Sequence, residues 1–102
     1  MVREITDMSE FKNLINGDKV TVVKFFATWC GPCKRFAPLF DGIVENYPFN
    51  FISVDVDVLQ DAAMEAEIQS MPTVVAYKNG SIVGTSVGSD LAKTKEMLNG
   101  LQ

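Results

Sequence analysis

The amino-acid sequence predicts an α/β fold in which helices cover both faces of a mixed β-sheet. The chain has 102 residues, of which 47% are hydrophobic and 22% are charged, the proportions of an ordinary folded domain. Strand and helix patterns alternate along it in the order β-α-β-α-β-α-β-β-α. Two of the strand segments are nearly continuous runs of β-branched and aromatic residues, as in strands that are buried on both faces. We therefore expect a single domain over residues 1–102, without a linker or a repeat.

The chain begins with a strand pattern that is followed by a short helix pattern. The first segment, Val2–Ile5, is predicted to form a short strand. A helix is predicted over Ser9–Asn16, because its apolar residues recur at helical spacing. Either Asp7 or Ser9 can cap the start of this helix, and Gly17 is suited to end it.

The two buried strands enclose the longest predicted helix. They are expected over Val20–Ala27 and Phe49–Val56. Between them, apolar residues recur at helical spacing from Pro32 to about Tyr47. Proline at position 32 suits the first turn of a helix, where its missing N–H costs nothing. Pro38 lies inside the same pattern, so we expect a kink there.

The last third of the chain contains two helix patterns and a hairpin. Leu59–Ile68, rich in Ala, Met and Glu, is predicted to be helical. Strands are predicted over Thr73–Tyr77 and Ser81–Val87. They are joined through Asn79-Gly80, two residues that tolerate a positive φ and favour a tight hairpin turn. The segment Asp90–Leu101 is predicted to close the chain as a helix.

Composition excludes several classes of partner and chemistry. Nine Lys and Arg residues against 13 Asp and Glu residues give a net charge of −4, whereas nucleic-acid and anionic-membrane binders usually have a basic excess. No apolar stretch approaches the roughly 18 residues that cross a bilayer, and early acidic residues interrupt any signal segment. We therefore expect a soluble cytoplasmic protein. The chain has no His, which removes Ser-His and Cys-His nucleophile pairs and most zinc sites.

The chemistry is concentrated at the only two cysteines, Cys30 and Cys33. A disulfide across so short a loop removes little chain entropy, so a redox role explains the pair better than a structural one. The helix N-terminus should lower the pKa of the Cys30 thiol and populate its thiolate, and Lys34 and Arg35 add positive potential. Cys33 lies one turn further in and should stay protonated longer. We therefore expect an exposed nucleophile beside a sheltered second thiol.

Other uses of this motif have less support. Structural zinc needs four ligands, and haem attachment needs a His where this chain has Lys34. A metal shared between two chains, or a purely structural role for the two cysteines, remains possible, but no feature of the sequence supports either. The acidic residues Asp55, Asp57 and Asp61 hint at a calcium loop, but the required Gly and the closing Glu are missing, so we expect no metal site.

At these residues the sequence resembles the thioredoxin family, in its cytosolic eukaryotic form. The matching segments, in the family's order and spacing, are Phe26-Ala27-Thr28-Trp29-Cys30-Gly31-Pro32-Cys33-Lys34, Val54-Asp55-Val56-Asp57, Met71-Pro72-Thr73, Lys78-Asn79-Gly80 and Val87-Gly88. The resemblance implies the thioredoxin fold and a protein-disulfide reductase. It implies no bound cofactor beyond the redox-active disulfide, with NADPH acting only indirectly through thioredoxin reductase. The implied partners are that reductase and disulfide-containing clients such as peroxiredoxins or ribonucleotide reductase.

The resemblance also implies roles for individual residues. Cys30 would attack a substrate disulfide, and Cys33 would resolve the mixed disulfide that forms. Gly31 and Pro32 would tune the redox potential. Pro72 resembles the family's cis-proline beside the cysteines. The expected substrate-binding residues are Trp29, Met71, Pro72, Val87 and Gly88. Two alternatives remain at this point: an oxidase or isomerase on the same fold, and a non-catalytic binding module.

Lys24 departs from the family pattern. Thioredoxins usually carry a buried Asp at this position, which is thought to take the proton from the second cysteine. Lys24 could reach solvent or pair with an acid such as Asp55, and then leave the redox site unaffected. Alternatively, Lys24 lies beneath Cys33, where burial lowers the pKa of its amine. There, a neutral amine would serve as the base, and a charged one would favour the Cys33 thiolate.

Overall fold

A computed structural model describes residues 2–102 of the chain. Its regular elements follow the predicted order, which confirms the α/β class. They are β1 (Arg3–Glu4), α1 (Met8–Ile15), β2 (Thr21–Phe26), α2 (Gly31–Asp41), a 3₁₀ turn (Val44–Asn46), β3 (Asn50–Asp55), α3 (Gln60–Glu65), β4 (Thr73–Lys78), β5 (Ser81–Val87) and α4 (Leu91–Asn99). Each strand or helix lies within or close to a segment predicted from the sequence.

The five strands form one mixed sheet in the order β1-β3-β2-β4-β5. The central strand β2 pairs in parallel with β3 and antiparallel with β4. Because β2 and β3 are parallel, their carboxyl ends lie at the same edge of the sheet. The antiparallel strand β4 begins at that edge, since Thr73 pairs with Phe25. The segments that follow β2 and β3 and the segment that precedes β4 therefore meet there.

Helices pack on both faces of the sheet, as expected. Successive residues of β2 point to opposite faces, so Val22 and Val23 enter different hydrophobic cores. One core includes Phe11 of α1, and the other includes Phe36 and Phe40 of α2. Lys24 follows Val22 by two residues and faces the second core, on the side of α2.

The helix predicted to continue to Tyr47 ends earlier, at Asp41. Gly42 caps α2, and the chain then passes through a short 3₁₀ turn at Val44–Asn46. The apolar periodicity predicted burial correctly for Val44 and Tyr47 but wrongly for Leu39, which is 52% exposed. It did not predict the break, because buried apolar residues can reach a core without continuing a helix, and glycine disfavours the helical state. Pro38 lies inside α2 as expected; the kink stays a prediction.

The predicted hairpin between β4 and β5 is confirmed. Asn79 and Gly80 both have positive φ values, 53° and 81°, as a two-residue hairpin turn requires. The N–H groups of these two residues also donate to the carbonyl oxygens of Gly17 and Ile15, at 2.8 Å each. The turn is thereby attached to the end of α1.

The described helices are all too short or too polar to cross a membrane.

Replacement of Asp7 by Ala should destabilise the fold by about 1 kcal/mol. The Asp7 carboxylate accepts a hydrogen bond from the N–H of Glu10 at 2.9 Å and so caps α1. The free energy of unfolding, measured in urea, should fall in Asp7→Ala. Asp18→Ala is the matched control, because it removes an equal charge from an exposed acid between α1 and β2. Equal stability of the two variants would contradict the capping role.

Candidate active site

The two cysteines lie where the chain passes from β2 into α2. Cys30 is the N-cap of α2 and has extended backbone angles, and Cys33 lies in the first turn. Their sulfur atoms form a disulfide. The backbone N–H of Cys33 points at the Sγ of Cys30 across 3.2 Å. The Cys30 sulfur therefore occupies the positive end of the helix, where a thiolate would be stabilised.

The expected difference in exposure between the cysteines is wrong for this disulfide form. Cys30 is 6% exposed and Cys33 is 5% exposed. Both belong to a small apolar cluster with Ala27, against which Val56 and Met71 pack. Val56 and Met71 are both distant in sequence from the cysteines; the family resemblance had placed Met71 beside them, but nothing in the local motif indicated Val56.

Trp29 lies at the rim of the site, as expected, with 67% of its surface exposed. Its indole N–H donates to the carboxylate of Asp57 at 2.9 Å. The N–H of Asp57 in turn donates to the carboxylate of Asp55 at 2.9 Å. The sequence analysis named Asp57 as a rejected calcium ligand and as part of a family segment, but did not predict this contact with Trp29. Strand direction could have predicted it, because Trp29 follows the carboxyl end of β2 and Asp57 follows the carboxyl end of the neighbouring parallel strand β3.

The Met71–Pro72 peptide bond is cis, as the family resemblance implied. The Met71 carbonyl oxygen lies 3.6 Å from the Sγ of Cys30. Within residues 2–102, the backbone of Met71 makes no hydrogen bond to another backbone group. A peptide bound beside the disulfide could therefore pair with it.

The other expected substrate-binding residues lie around these two segments. The carbonyl oxygen of Pro72 accepts a hydrogen bond from the N–H of Gly88 at 2.9 Å. Gly88 has a φ of 97°, a conformation that residues with a side chain rarely adopt. Val87 is exposed at the end of β5, and Gly31 and Pro32 are exposed at the start of α2. Gly31, Pro32 and Val87 are therefore open to a partner, whereas Pro72 is buried and Gly88 is half-buried.

Lys24 is buried in the middle of β2 and lines a pocket beneath the disulfide. Cys33 lines the same pocket, which has a volume of about 320 Å³. The Lys24 ammonium lies 5.7 Å from the ring centroid of Phe26 and 5.8 Å from that of Phe40. Burial lowers the pKa of Lys24, and the negative charge of Asp41 opposes this only in part.

The suggested pairing of Lys24 with Asp55 does not occur. Across residues 2–102 the ion pair that forms is the one between Arg3 and Glu10. The Asp55 carboxylate instead accepts the N–H of Asp57. Of the two hypotheses for Lys24, the geometry favours the one that places it beneath Cys33.

No group of three or more His, Cys, Asp or Glu side chains within residues 2–102 is arranged to hold a metal ion. Asp55 and Asp57 are already engaged with each other and with Trp29.

Comparison with known proteins agrees with this geometry. The thioredoxin family model matches residues 2–101. The chain belongs to the thioredoxin family. It is 48% identical to Thioredoxin-1 of Schizosaccharomyces pombe over 94 residues, which are 91% of each chain. The family resemblance seen in the sequence is thereby confirmed.

Solved structures show the same fold. The chain matches thioredoxin from Plasmodium falciparum with a TM-score of 0.93 and 38% identity, covering 99% of this chain and 100% of that one. It also matches a chain in a study of the thiol resolving mechanism in yeast mitochondrial 1-Cys peroxiredoxin via glutathione/thioredoxin systems. There the TM-score is 0.89 and the identity 34%, with 97% of this chain and 94% of that one covered. Like its family, this chain is a thiol–disulfide oxidoreductase whose redox-active group is the cysteine pair.

Replacement of Lys24 by Met should stabilise the protein at neutral pH. In the parent protein the folded-state pKa of Lys24 lies below 10.5, so the folded state binds the Lys24 proton more weakly than the unfolded state does. Protonation of Lys24 therefore lowers the free energy of unfolding. This cost is fully present below the folded-state pKa, falls as pH rises through that value, and vanishes above 10.5. Lys24→Met should therefore raise the melting temperature by about 5 °C at pH 7 and by less near pH 10.

The matched control is Lys12→Met, which removes the charge of an exposed lysine on α1. Its effect on the melting temperature should be small at both pH values. A Lys24→Met effect of the same size at pH 7 and pH 10 would show that the buried charge carries no cost.

Proposed function

We propose that Cys30 is the attacking thiolate, and Cys33 the resolving thiol, of a reductase that acts on protein disulfides. The position of Cys30 at the N-cap of α2, with the Cys33 N–H directed at its sulfur, carries this assignment. The dipole of α2 and the N–H of Cys33 both favour a negative charge on the Cys30 sulfur. Cys33 lies inside the first turn and within bonding reach of Cys30.

The exchange proceeds in two displacements. The Cys30 thiolate attacks one sulfur of the substrate disulfide, the substrate S–S bond breaks, and its other sulfur leaves as a thiolate that takes a proton. The Cys33 thiol then loses its proton and attacks the Cys30 sulfur. The mixed disulfide breaks, the second substrate thiol is released, and the Cys30–Cys33 disulfide remains. Two electrons pass from the cysteine pair to the substrate.

The substrate-binding surface consists of groups around the disulfide, most of them exposed or half-buried, with Pro72 buried among them. Trp29 offers a large apolar face that its bond to Asp57 holds in place. The free backbone of Met71 would pair with an extended substrate segment, as in strand addition. Main-chain pairing tolerates many side chains, which suits a reductase with several protein substrates. The remaining members of the surface are Gly31, Pro32, Pro72, Val87 and Gly88.

The resulting disulfide must be reduced again before the next cycle. We assign this step to thioredoxin reductase, which draws on NADPH, so that the chain acts as an electron carrier in the cytoplasm. Peroxiredoxins and ribonucleotide reductase are the proposed clients. The similarity to a chain studied with yeast mitochondrial 1-Cys peroxiredoxin supports the first of these.

We further assign Lys24 a role in the Cys33 step. Lys24 and Cys33 line one pocket, and burial lowers the pKa of the Lys24 amine. In its neutral form the amine accepts the proton that Cys33 must lose. In its charged form it stabilises the Cys33 thiolate directly. Stabilisation of a thiolate favours the reduced pair and makes the disulfide a stronger oxidant.

Single-cysteine variants should separate the two cysteine roles. In insulin reduction driven by dithiothreitol, Cys30→Ser and Cys33→Ser should both lose catalysed turnover. With a chromogenic aromatic disulfide, reduced Cys33→Ser should still react and release one aromatic thiolate for each chain. Cys30→Ser should react at least about tenfold more slowly, because Cys33 lacks the N-cap position. Faster reaction of Cys30→Ser would reverse the assignment.

Substitutions of Lys24 should change the second displacement and the redox potential. Lys24→Met should slow resolution of the mixed disulfide on the order of tenfold or more, because the base is lost. Lys24→Asp should lower the reduction potential and raise the pKa of the Cys33 thiol, because a negative charge opposes the thiolate. The redox potential and the turnover of both variants are compared with those of the parent between about pH 6 and 9, a range that spans the ordinary thiol pKa. Unchanged potential and turnover in both variants would show that Lys24 has no part in the reaction.

A further inference from the structure

The pocket beneath the disulfide has a polar end and an apolar wall. Lys24 and Ser53 lie side by side in it, since they are partners in the β2–β3 register. Phe26, Ala27 and Ala37 supply apolar lining. The volume, about 320 Å³, lies at the lower end of the range for small-molecule sites.

The side chains of Lys24 and Ser53 have no hydrogen-bond or ion-pair partner within the described part of the protein. Lys24 is 8% exposed and Ser53 is 7% exposed, so both are more than nine-tenths buried. Neither side chain takes part in a side-chain hydrogen bond or an ion pair. Yet no fully buried side-chain nitrogen or oxygen of residues 2–102 lacks a partner. The ammonium and the hydroxyl must therefore keep contact with the open space of the pocket.

No acidic side chain within the pocket compensates the charge of Lys24. Lys34 also lines the pocket, and no Asp or Glu does. Asp41 acts on Lys24 from a distance but forms no ion pair with it. The rings of Phe26 and Phe40, 5.7 and 5.8 Å from the ammonium, attract the cation but do not neutralise its charge. A buried cation of this kind is unfavourable until an anion or another acceptor reaches it.

We propose that this pocket binds a small organic anion, with a short-chain carboxylate as its chemical class. The carboxylate group accepts hydrogen bonds from the Lys24 ammonium and the Ser53 hydroxyl. The hydrocarbon chain packs against Phe26, Ala27 and Ala37. An anion of this shape compensates the charge of Lys24 and fills the apolar part of the pocket. Chloride would compensate the charge but leave the apolar part empty.

Titration of the oxidised protein with acetate, propionate, butyrate and chloride at constant ionic strength tests the site. Backbone amide shifts of Lys24, Cys33 and Ser53 should saturate in the millimolar range, as expected for ligands of so few atoms. Affinity should rise from acetate to butyrate, and chloride should bind more weakly than butyrate. Shifts that do not saturate, or equal affinity for chloride and butyrate, would overturn the proposal.

Variants locate the binding. Lys24→Met and Ser53→Ala should each weaken butyrate binding, the first by at least about tenfold, as for loss of a charge-assisted hydrogen bond. Ser53→Ala removes one hydroxyl and provides a second measurement if Lys24→Met alters the fold. Lys12→Met, which removes a distant exposed lysine, should bind butyrate like the parent. Full affinity in both Lys24→Met and Ser53→Ala would overturn the site.

A consequence for the reaction rests on the proposed role of Lys24. Bound butyrate occupies the Lys24 ammonium, so it should slow resolution of the mixed disulfide in the parent protein. Binding and resolution are measured separately. If butyrate saturates the pocket and resolution keeps its rate, the anion site stands and the role of Lys24 in resolution is wrong. If butyrate does not bind, the site is wrong, whatever the rate.

Discussion

The active site depends on the complete enclosure of the central strand, β2. This strand is hydrogen-bonded to β3 on one side and to β4 on the other, and helices cover both of its faces. Val22 and Val23 enter opposite cores, so any rotation or shift of the strand would expose one of them. The end of β2 is therefore held in place, and the redox-active Cys30 follows it by only four residues.

Strand direction then assembles the site from three distant segments. The parallel partner β3 delivers Asp57 to the edge where β2 ends, and there it meets Trp29. The antiparallel partner β4 starts at that edge, so the preceding Met71 lies against Cys30. The helix that follows Cys30 points its N-terminus at the same place. The site thus combines a disulfide at a helix N-terminus, a free backbone edge and an exposed aromatic ring.

The enclosure of β2 also explains why Lys24 is chemically unusual. A lysine on an edge strand could turn its ammonium to water, but the centre of this sheet allows only the pocket beneath the disulfide. The same burial that lowers the pKa of the amine places it beside Cys33. The lysine whose charge the burial disfavours thus shares a pocket with the second cysteine of the redox pair.

The features that could be predicted from the sequence are those decided by residues close together in the chain. The order of elements, a cap of α1 at Asp7 or Ser9, the turn at Asn79-Gly80 and the cysteines at a helix start all belong to this group. A cap or a tight turn is determined by a few neighbouring side chains and backbone angles, so a local pattern is sufficient evidence for it.

Other features were decided only by the tertiary structure. The end of α2 at Asp41, the packing of Val56 against the cysteine cluster, and the hydrogen bond from Trp29 to Asp57 all involve contacts between distant segments. The environment of Lys24 belongs with them, because its position in β2 left open whether an acid, water or a pocket would meet its amine. Such contacts depend on strand order and direction, which bring together residues that no local pattern connects.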